Sequence, residues 1–455
     1  MGERVRAISP ASFAWRIAAS VLGIGLLLNG SLRMSDDAWP FGPQSQYAFS
    51  PASDATIVIT RVEGLLADGR RIDLPLRVET AGISRAEIEA RIPEITADPS
   101  LLRSVADGWT SRHPAEPPLL RVWLVQDQSW SRRPDPSGRT RHLGTARMRT
   151  LRSVASWLMP VVPESRVAIL RTVLYLFVII DIHLFVRDPI PLSRNPELYR
   201  PLLMERLFHL PPPSVPLTIM LYLILVAGCL LVAANVLPRL AGWVVAVAFT
   251  WWTAIGMSYG KVDHDHLALV VALWVLPTVG VIADRWRSVE RSAQAGWALK
   301  CIQISVVFTY FLSALTKIRS GGWSITSWPE SSILLWAIIR RPHGLGQFLL
   351  PYPELLHVMQ WLSFTAELTA VIVLWLRGRA LLAAAVFWMG FHVLTLAILY
   401  IHFGPTAICW LAFAPLERLG PWLRRIKAGR RQRTGRRAPR HAVAVLGDHP
   451  IDSSG

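Results

Sequence analysis

The stretch YGKVDHDHLALVVALWVLPTVG, Tyr259 to Gly280, sets an apolar run long enough to enter a membrane directly behind Lys261, Asp263, His264, Asp265 and His266. If the helix begins near Asp263, then Asp263 and His266 share a face at i, i+3 spacing while His264 and Asp265 point elsewhere. The cluster reads in two ways, as a polar flank at the water boundary or as the wall of a reaction site. A neutral imidazole accepts or relays a proton near physiological pH, and a neighbouring carboxylate orients it. A metal wants three or four convergent ligands, and local spacing supplies at most two, so no metal is expected.

Runs of the same kind recur on both sides. They cover residues 13–30, 167–186, 214–237, 240–258, 267–283, 298–315, 356–376 and 380–400, with a shorter one at 404–416. Only 17% of the 455 residues are charged and 52% are hydrophobic, against about 25% charged in a typical soluble chain. The expected fold is therefore mostly α, a polytopic helical membrane protein with about nine transmembrane helices. The net charge of +17 belongs to loops that hold one face in the cytoplasm, and no nucleic acid is expected as a partner. Cys229, Cys301 and Cys409 sit inside apolar runs without a CxxC or Cys/His spacing, so neither a disulfide framework nor a zinc site is expected.

Four regions follow. Residues 1–34 hold a first helix that is retained rather than cleaved, since NGSLRMSDD offers no A-x-A-like site. Residues 35–150 form a small α+β extramembrane domain. In it ATIVITRVEGLLADGRRIDLPLRVE reads as two strands around a turn at Ala67, Asp68 and Gly69, Ser84 caps a helix with Glu87 three residues on, and LLRVWLVQD alternates like a further strand. Residues 151–419 form the helical membrane domain, within which SWPESSILLWAII, Ser327 to Ile339, is too short to cross and is expected to be re-entrant or interfacial. Residues 420–455 form a basic, disordered cytoplasmic tail, suited to membrane lipids. With the tail inside, Arg377–Arg379, Asp284–Ser292 and Pro238–Arg239 are inside too, and Lys261–His266 and Lys317–Leu355 are outside. MGERVR and TARMRTLRS both suggest the inside, which leaves one odd crossing: either the amino terminus is outside or LRSVASWLMPVVP has a role of its own, and the side of the small domain stays open.

Several ionisable groups lie in or at the ends of spans. Lys317 ends the run FTYFLSAL, where a lysine either snorkels to the interface or, partly desolvated, serves as a base. Glu367 and His392 lie deep in spans, where titratable groups must face the bundle interior. Arg171 and Asp181 are ten residues apart in one span and each needs a partner elsewhere. P-loop, GxGxxG, HExxH, GxSxG and CxxCH patterns are absent, so nothing suggests ATP, NAD or covalently held haem.

The order DHDHLALVVALW, FTYFLSALTKIRSGGW, AELTAVIVLW and GFHVLTLAILYIHFG, preceded by ILRTVLYLFVIIDIH, resembles the membrane region of vitamin K-dependent gamma-carboxylase and the wider HTTM (horizontally transferred transmembrane) family found in many bacteria. It spans roughly residues 166–419. The resemblance implies that Lys317 is the base that deprotonates a quinol, that His266 and His392 match its histidines, and that Asp263, His264, Trp323, Glu367 and Arg171 contact substrate. It also implies reduced vitamin K or menaquinone as the lipid-soluble substrate, and a bacterial plasma membrane as the location. Thr316 stands where the family's enzyme has a second lysine, and the small domain precedes the membrane core.

Three classes of function fit these residues. The first is a membrane enzyme acting on a quinol or other lipid-soluble substrate. The second is a non-catalytic anchor or scaffold whose residues 35–150 bind a partner protein. The third is a transporter or lipid carrier with Glu367 or His392 in a proton path.

Overall fold

The computed structural model describes residues 5–6, 8–51, 56–130, 151–279, 286, 288, 290–341 and 344–418. The basic linker at 131–150 and the basic tail lie outside the described residues. Seven helices are long and apolar enough to cross a membrane, and the chain is a helical integral membrane protein of mostly α structure with a small sheet domain. Five of the seven are α1 (Pro10–Arg33), α4 (Glu164–Leu184), α5 (Val215–Ala233), α6 (Pro238–Met257) and α8 (Ala293–Ser320). The others are α11 (Pro353–Thr369), which runs on as a 3-10 helix to Trp375, and α12 (Gly378–Leu399). The runs at 267–283 and 404–416 form shorter apolar helices, His264–Val279 around α7 (Leu267–Val275) and Gly404–Phe413 around α13 (Gly404–Cys409).

Local chemistry sets where these helices start. Ser9, Ser214 and Ser292 cap α1, α5 and α8 by accepting from the backbone N–H three residues on, and Pro10, Pro238 and Pro353 sit at first turns whose N–H groups have no intrahelical acceptor anyway. Among the seven, α6 and α8 have 72% and 67% of their apolar windows inside the protein, so they form the centre. In contrast, α1 and α12, at 11% and 17%, present most of theirs outward, where acyl chains satisfy them.

Strand pairing fixes the direction of the bundle. β1 (Val5–Arg6) pairs parallel with β6 (Arg291–Ser292), and β5 (Val162–Pro163) pairs antiparallel with β6. The entrances of α1, α4 and α8 therefore lie at one end. Gly296 is required there, because a Cβ would fall 1.5 Å from the Pro160 carbonyl oxygen. Trp157 stacks on Trp375 at 5.5 Å at this same end.

At the opposite end lies the small domain. Its antiparallel sheet has the order β3 (Arg71–Leu74), β2 (Thr56–Leu66), β4 (Leu119–Trp130). The turn at 67–69 joins β2 to β3, as the sequence indicates. Ser84 and Glu87 make a reciprocal capping box on α2 (Arg85–Glu89), and α3 (Arg103–Arg112) adds Val105 to a core with Val62, Leu74 and Ile88. The domain is pinned to the bundle by Arg187–Glu87, Arg340–Glu89 and Arg206–Asp37 ion pairs. The chain thus passes from one end to the other after Trp130 and before Trp157, and most of that passage lies outside the described residues. The Ser327–Ile339 segment forms two short helices, α9 (Ser327–Glu330) and α10 (Ile333–Ile339), against α11.

Candidate functional site

The end of the bundle beneath the small domain holds a mainly apolar cavity of about 530 Å³. That size suits a cofactor-sized or drug-sized ligand. Its walls come from α8, α9, α10, α11 and α12, with His264 and Asp265 at one edge and Gln44, Gln46 and Tyr47 of the small domain over the top. Each long helix offers a polar stripe to it. Tyr310, Ser313 and Lys317 lie on one face of α8, Gln360, Ser363 and Glu367 on one face of α11, and His392 and Thr395 on α12.

Lys317 does not snorkel. It is 4% exposed, and its Nζ donates to Glu367 Oε2 at 2.5 Å and lies 4.1 Å from the centre of the Trp328 ring. Both charges are thereby paired in a setting where an isolated charge is costly. Trp328 is held in turn. Its indole N–H donates to the Tyr47 carbonyl at 2.6 Å, and the Gln360 amide donates to the Trp328 carbonyl at 2.6 Å and the Ser331 carbonyl at 2.9 Å. Gln360 thus locks the α9–α10 segment onto α11, satisfying backbone carbonyls that lipid cannot.

His392 ends a three-member chain. Trp410 Nε1–H donates to the Tyr310 hydroxyl at 2.9 Å, and that hydroxyl lies 2.7 Å from His392 Nε2. Since the indole can only donate, the phenolic hydrogen has His392 Nε2 as its acceptor, and this bookkeeping assigns the ring proton to Nδ1. Nδ1 is buried and has no hydrogen-bond partner among the described residues. A donor without a protein acceptor therefore belongs to a residue that lines the cavity.

The DHDH cluster is arranged differently from the sequence expectation. Asp263 has extended backbone, His264–His266 is a 3-10 turn, and α7 begins only at Leu267, so Asp263 and His266 do not share a helical face. His264 and Asp265, expected to point elsewhere, line the cavity. His266 is 1% exposed and lies behind the wall, with Nδ1 3.0 Å from Asp265 Oδ1 and Nε2 3.3 Å from Asp181 Oδ2. That contact is the partner Asp181 required. Asp263 faces away, with Lys261 Nζ at 2.5 Å and Arg187 Nε at 3.9 Å. Burial pushes the Asp263 carboxyl up, but the two cations outweigh it and hold it well below the usual carboxylate range.

Of the expected site residues, Lys317, Glu367, His392 and His264 come together at the cavity, and His266 touches it through Asp265. Asp263, Trp323 and Arg171 do not line it. Trp323 is 61% exposed in the left-handed turn that ends α8, and Arg171 donates to Asn235 at 2.6 Å near the far end of the bundle. Sequence reasoning missed Tyr310, Gln360, Trp328 and Asp265. The first two were marked by helical spacing, at i−7 from Lys317 and from Glu367. Among the described residues no group of three or more His, Cys, Asp or Glu is placed to hold a metal ion.

Fold and site together define a helical membrane protein with an apolar, polar-striped cavity capped by a small sheet domain. Comparison with protein-family models, with curated proteins and with solved structures gives no match.

Proposed function

We propose that this protein is a membrane enzyme of the gamma-carboxylase-like HTTM type, which binds a quinol or another lipid-soluble hydroxylated substrate in the apolar cavity and deprotonates it there. The observation that carries the reading is the convergence of the Lys317–Glu367 pair and the free His392 Nδ1–H on one mainly apolar space. In a water-poor site the pair acts as one proton acceptor. A substrate hydroxyl gives up its proton to Glu367 while Lys317 stays cationic beside the new oxyanion, or to Lys317 once the pair has exchanged its proton. His392 Nδ1–H supplies a fixed donor to the developing negative charge. Asp265 lies between the edge of the cavity and the buried His266, which sits at ion-pair distance from both Asp265 and Asp181. We place the basic end of the bundle in the cytoplasm of a bacterial cell and count the two shorter apolar helices among the crossing helices, nine in all.

The anchor reading requires the small domain to present a surface to a partner. The ion pairs that pin it and the placing of Gln44, Gln46 and Tyr47 over the cavity favour a roof instead. The test is purified protein in detergent, supplied with reduced menaquinone or vitamin K, oxygen and bicarbonate, with quinone epoxide followed by mass spectrometry. Wild type should form epoxide and Lys317→Ala, still inserted and folded, should lose at least about 100-fold, the scale of general acid–base catalysis. Full activity in Lys317→Ala, or none in wild type with any quinol tried, sinks the assignment.

A further inference from the structure

A second cavity, of about 900 Å³, lies between the small domain and the bundle and shares Gln46 and Tyr47 with the apolar one. Its chemistry is opposite. Seven cationic side chains and two acidic ones line it. Arg77 has a partner of its own, and three of the other cations are accounted for by acids at or near the wall. Arg61 pairs with Glu63, Asp73 and Asp127, Arg187 with Glu87, and Lys261 with Asp263. The remaining acid, Glu89, is shared by Arg340 and, at a long 3.7 Å, Arg85. Arg340 is engaged by Glu89, the Val58 carbonyl at 2.6 Å and the face of Trp336. Arg85 spends one Nη on the Arg340 carbonyl at 2.8 Å. Arg341 Nε donates to the Tyr47 hydroxyl at 2.7 Å, and among the described residues no carboxylate pairs with it. One carboxylate thus faces three guanidinium groups in a walled cleft. Burial is the largest influence on Arg85, and together with repulsion from Arg340 and Arg341 it outweighs the attraction of Glu89 and holds the Arg85 pKa down. Such an excess of partly desolvated guanidinium groups is stabilised by a bound oxyanion, and their planar forks match carboxylate or phosphate oxygens.

Tyr47 joins the two cavities. It takes a left-handed backbone conformation, φ 57°, unusual for a bulky residue, and both of its ends are fixed. Its hydroxyl receives Arg341 and its carbonyl receives the Trp328 indole, whose ring lies against Lys317. Arg341, Tyr47, Trp328 and Lys317 therefore form one line of contacts from the cationic cleft to the pair in the apolar cavity.

We propose that the cleft is an oxyanion subsite, with Arg85 and Arg341 as its ligands, and that the molecule it holds reaches past Tyr47 into the apolar cavity. This rests on reading the apolar cavity as the substrate site and narrows the substrate class to an apolar chain or ring bearing one phosphate-like or carboxylate group. The oxyanion has two chemical sources, the head of such an amphiphile or a free anion used beside an uncharged one. The test uses the full chain in nanodiscs of uncharged lipid, without quinol, so its outcome does not depend on the epoxide assay. The probes are a long-chain alkyl phosphate, the matching alcohol and inorganic phosphate, with binding read directly.

Wild type should hold the alkyl phosphate at least about tenfold more tightly than the alcohol. Arg85→Gln and Arg341→Gln should each lose about tenfold for the phosphate, the scale of one charged hydrogen bond. Arg341→Lys, which keeps the charge, should lose less, and Arg166→Gln, at the far end, should lose nothing. Tight, arginine-dependent binding of inorganic phosphate, with the alkyl phosphate no tighter, supports the subsite, assigns its source as a free anion and overturns the reach past Tyr47. Equal affinity for alkyl phosphate and alcohol, or phosphate affinity unmoved in both glutamine variants, overturns the proposal.

Discussion

Two ion pairs tie helices of this bundle together, and their difference separates architecture from chemistry. At the far end Arg166 grips Glu417 with both Nε and Nη2, at 2.8 and 2.6 Å, away from the apolar cavity. Beneath the small domain Lys317 touches Glu367 through a single contact, over an aromatic face, on the wall of an apolar space. A guanidinium fork fixes geometry and does not give up its proton. An ammonium on a flexible stem is a point charge that exchanges one readily when desolvated. The first arrangement suits a strut. The second suits a pair whose proton is used.

The sharpest way to break this comparison is to remove one partner from each pair. Lys317→Met leaves Glu367 buried and unpaired and should cost about 3–5 kcal/mol, read as a lowered denaturation midpoint in detergent. Lys317→Met with Glu367→Gln removes both charges and should recover most of that loss, while epoxide formation stays absent. Arg166→Met should cost less, about 1–3 kcal/mol, because Glu417 is nearer the bundle end and partly hydrated, and it should leave turnover intact. If the double variant stays as unstable as the single one, the pair contributes architecture beyond its charges, and the contrast fails.

The helices were legible in the sequence because hydropathy over about 20 residues is a local signal, and so were the turn at 67–69 and the Ser84–Glu87 capping box. The site was partly legible for the same reason. Tyr310, Ser313 and Lys317, like Gln360, Ser363 and Glu367, recur at i, i+3, i+7 within apolar runs, a pattern that marks a polar stripe turned inward. What failed was DHDH. An i, i+3 reading assumes helix from Asp263, but the α-helix starts four residues later, so the side chains facing the cavity are His264 and Asp265. The roof was illegible. Gln44, Gln46 and Tyr47 lie in an irregular segment with no period, and only tertiary contacts such as Trp328 to the Tyr47 carbonyl place it. Arg171 stood out only as a charge within a span and Trp323 only by resemblance, and neither lines the apolar cavity.

A finer test addresses His392. Tyr310→Phe removes the hydroxyl that accepts from Trp410 and donates to Nε2, leaving two buried polar groups unsatisfied. The expected cost is about 1–3 kcal/mol of stability. Turnover should fall by roughly tenfold as the ring loses its fixed tautomer. His392→Gln, which keeps an N–H donor, should retain more turnover than His392→Leu at equal stability. Equal turnover in the two would mean that His392 fills space and donates nothing.

The smallest expected effect concerns Asp263, the member of DHDH that belongs to the strut side of the comparison. Lys261 and Arg187 hold its carboxyl below its ordinary range in the folded protein in spite of burial. A folded-state value below the unfolded one, about 3.9, contributes stability that is fully present above that pH and is lost as pH falls through the folded value. Asp263→Asn should therefore cost on the order of 1 kcal/mol at neutral pH, the upper range for pairs at a hydrated boundary. The gap from wild type should stay constant from pH 7 down to about 4 and shrink below it. Since Asp263 faces away from the cavity, epoxide formation should not change. A gap that instead widens as pH falls through the histidine range, near 6 to 7, would tie Asp263 to an imidazolium, most directly His266, and would return it to the proton-handling side of the molecule.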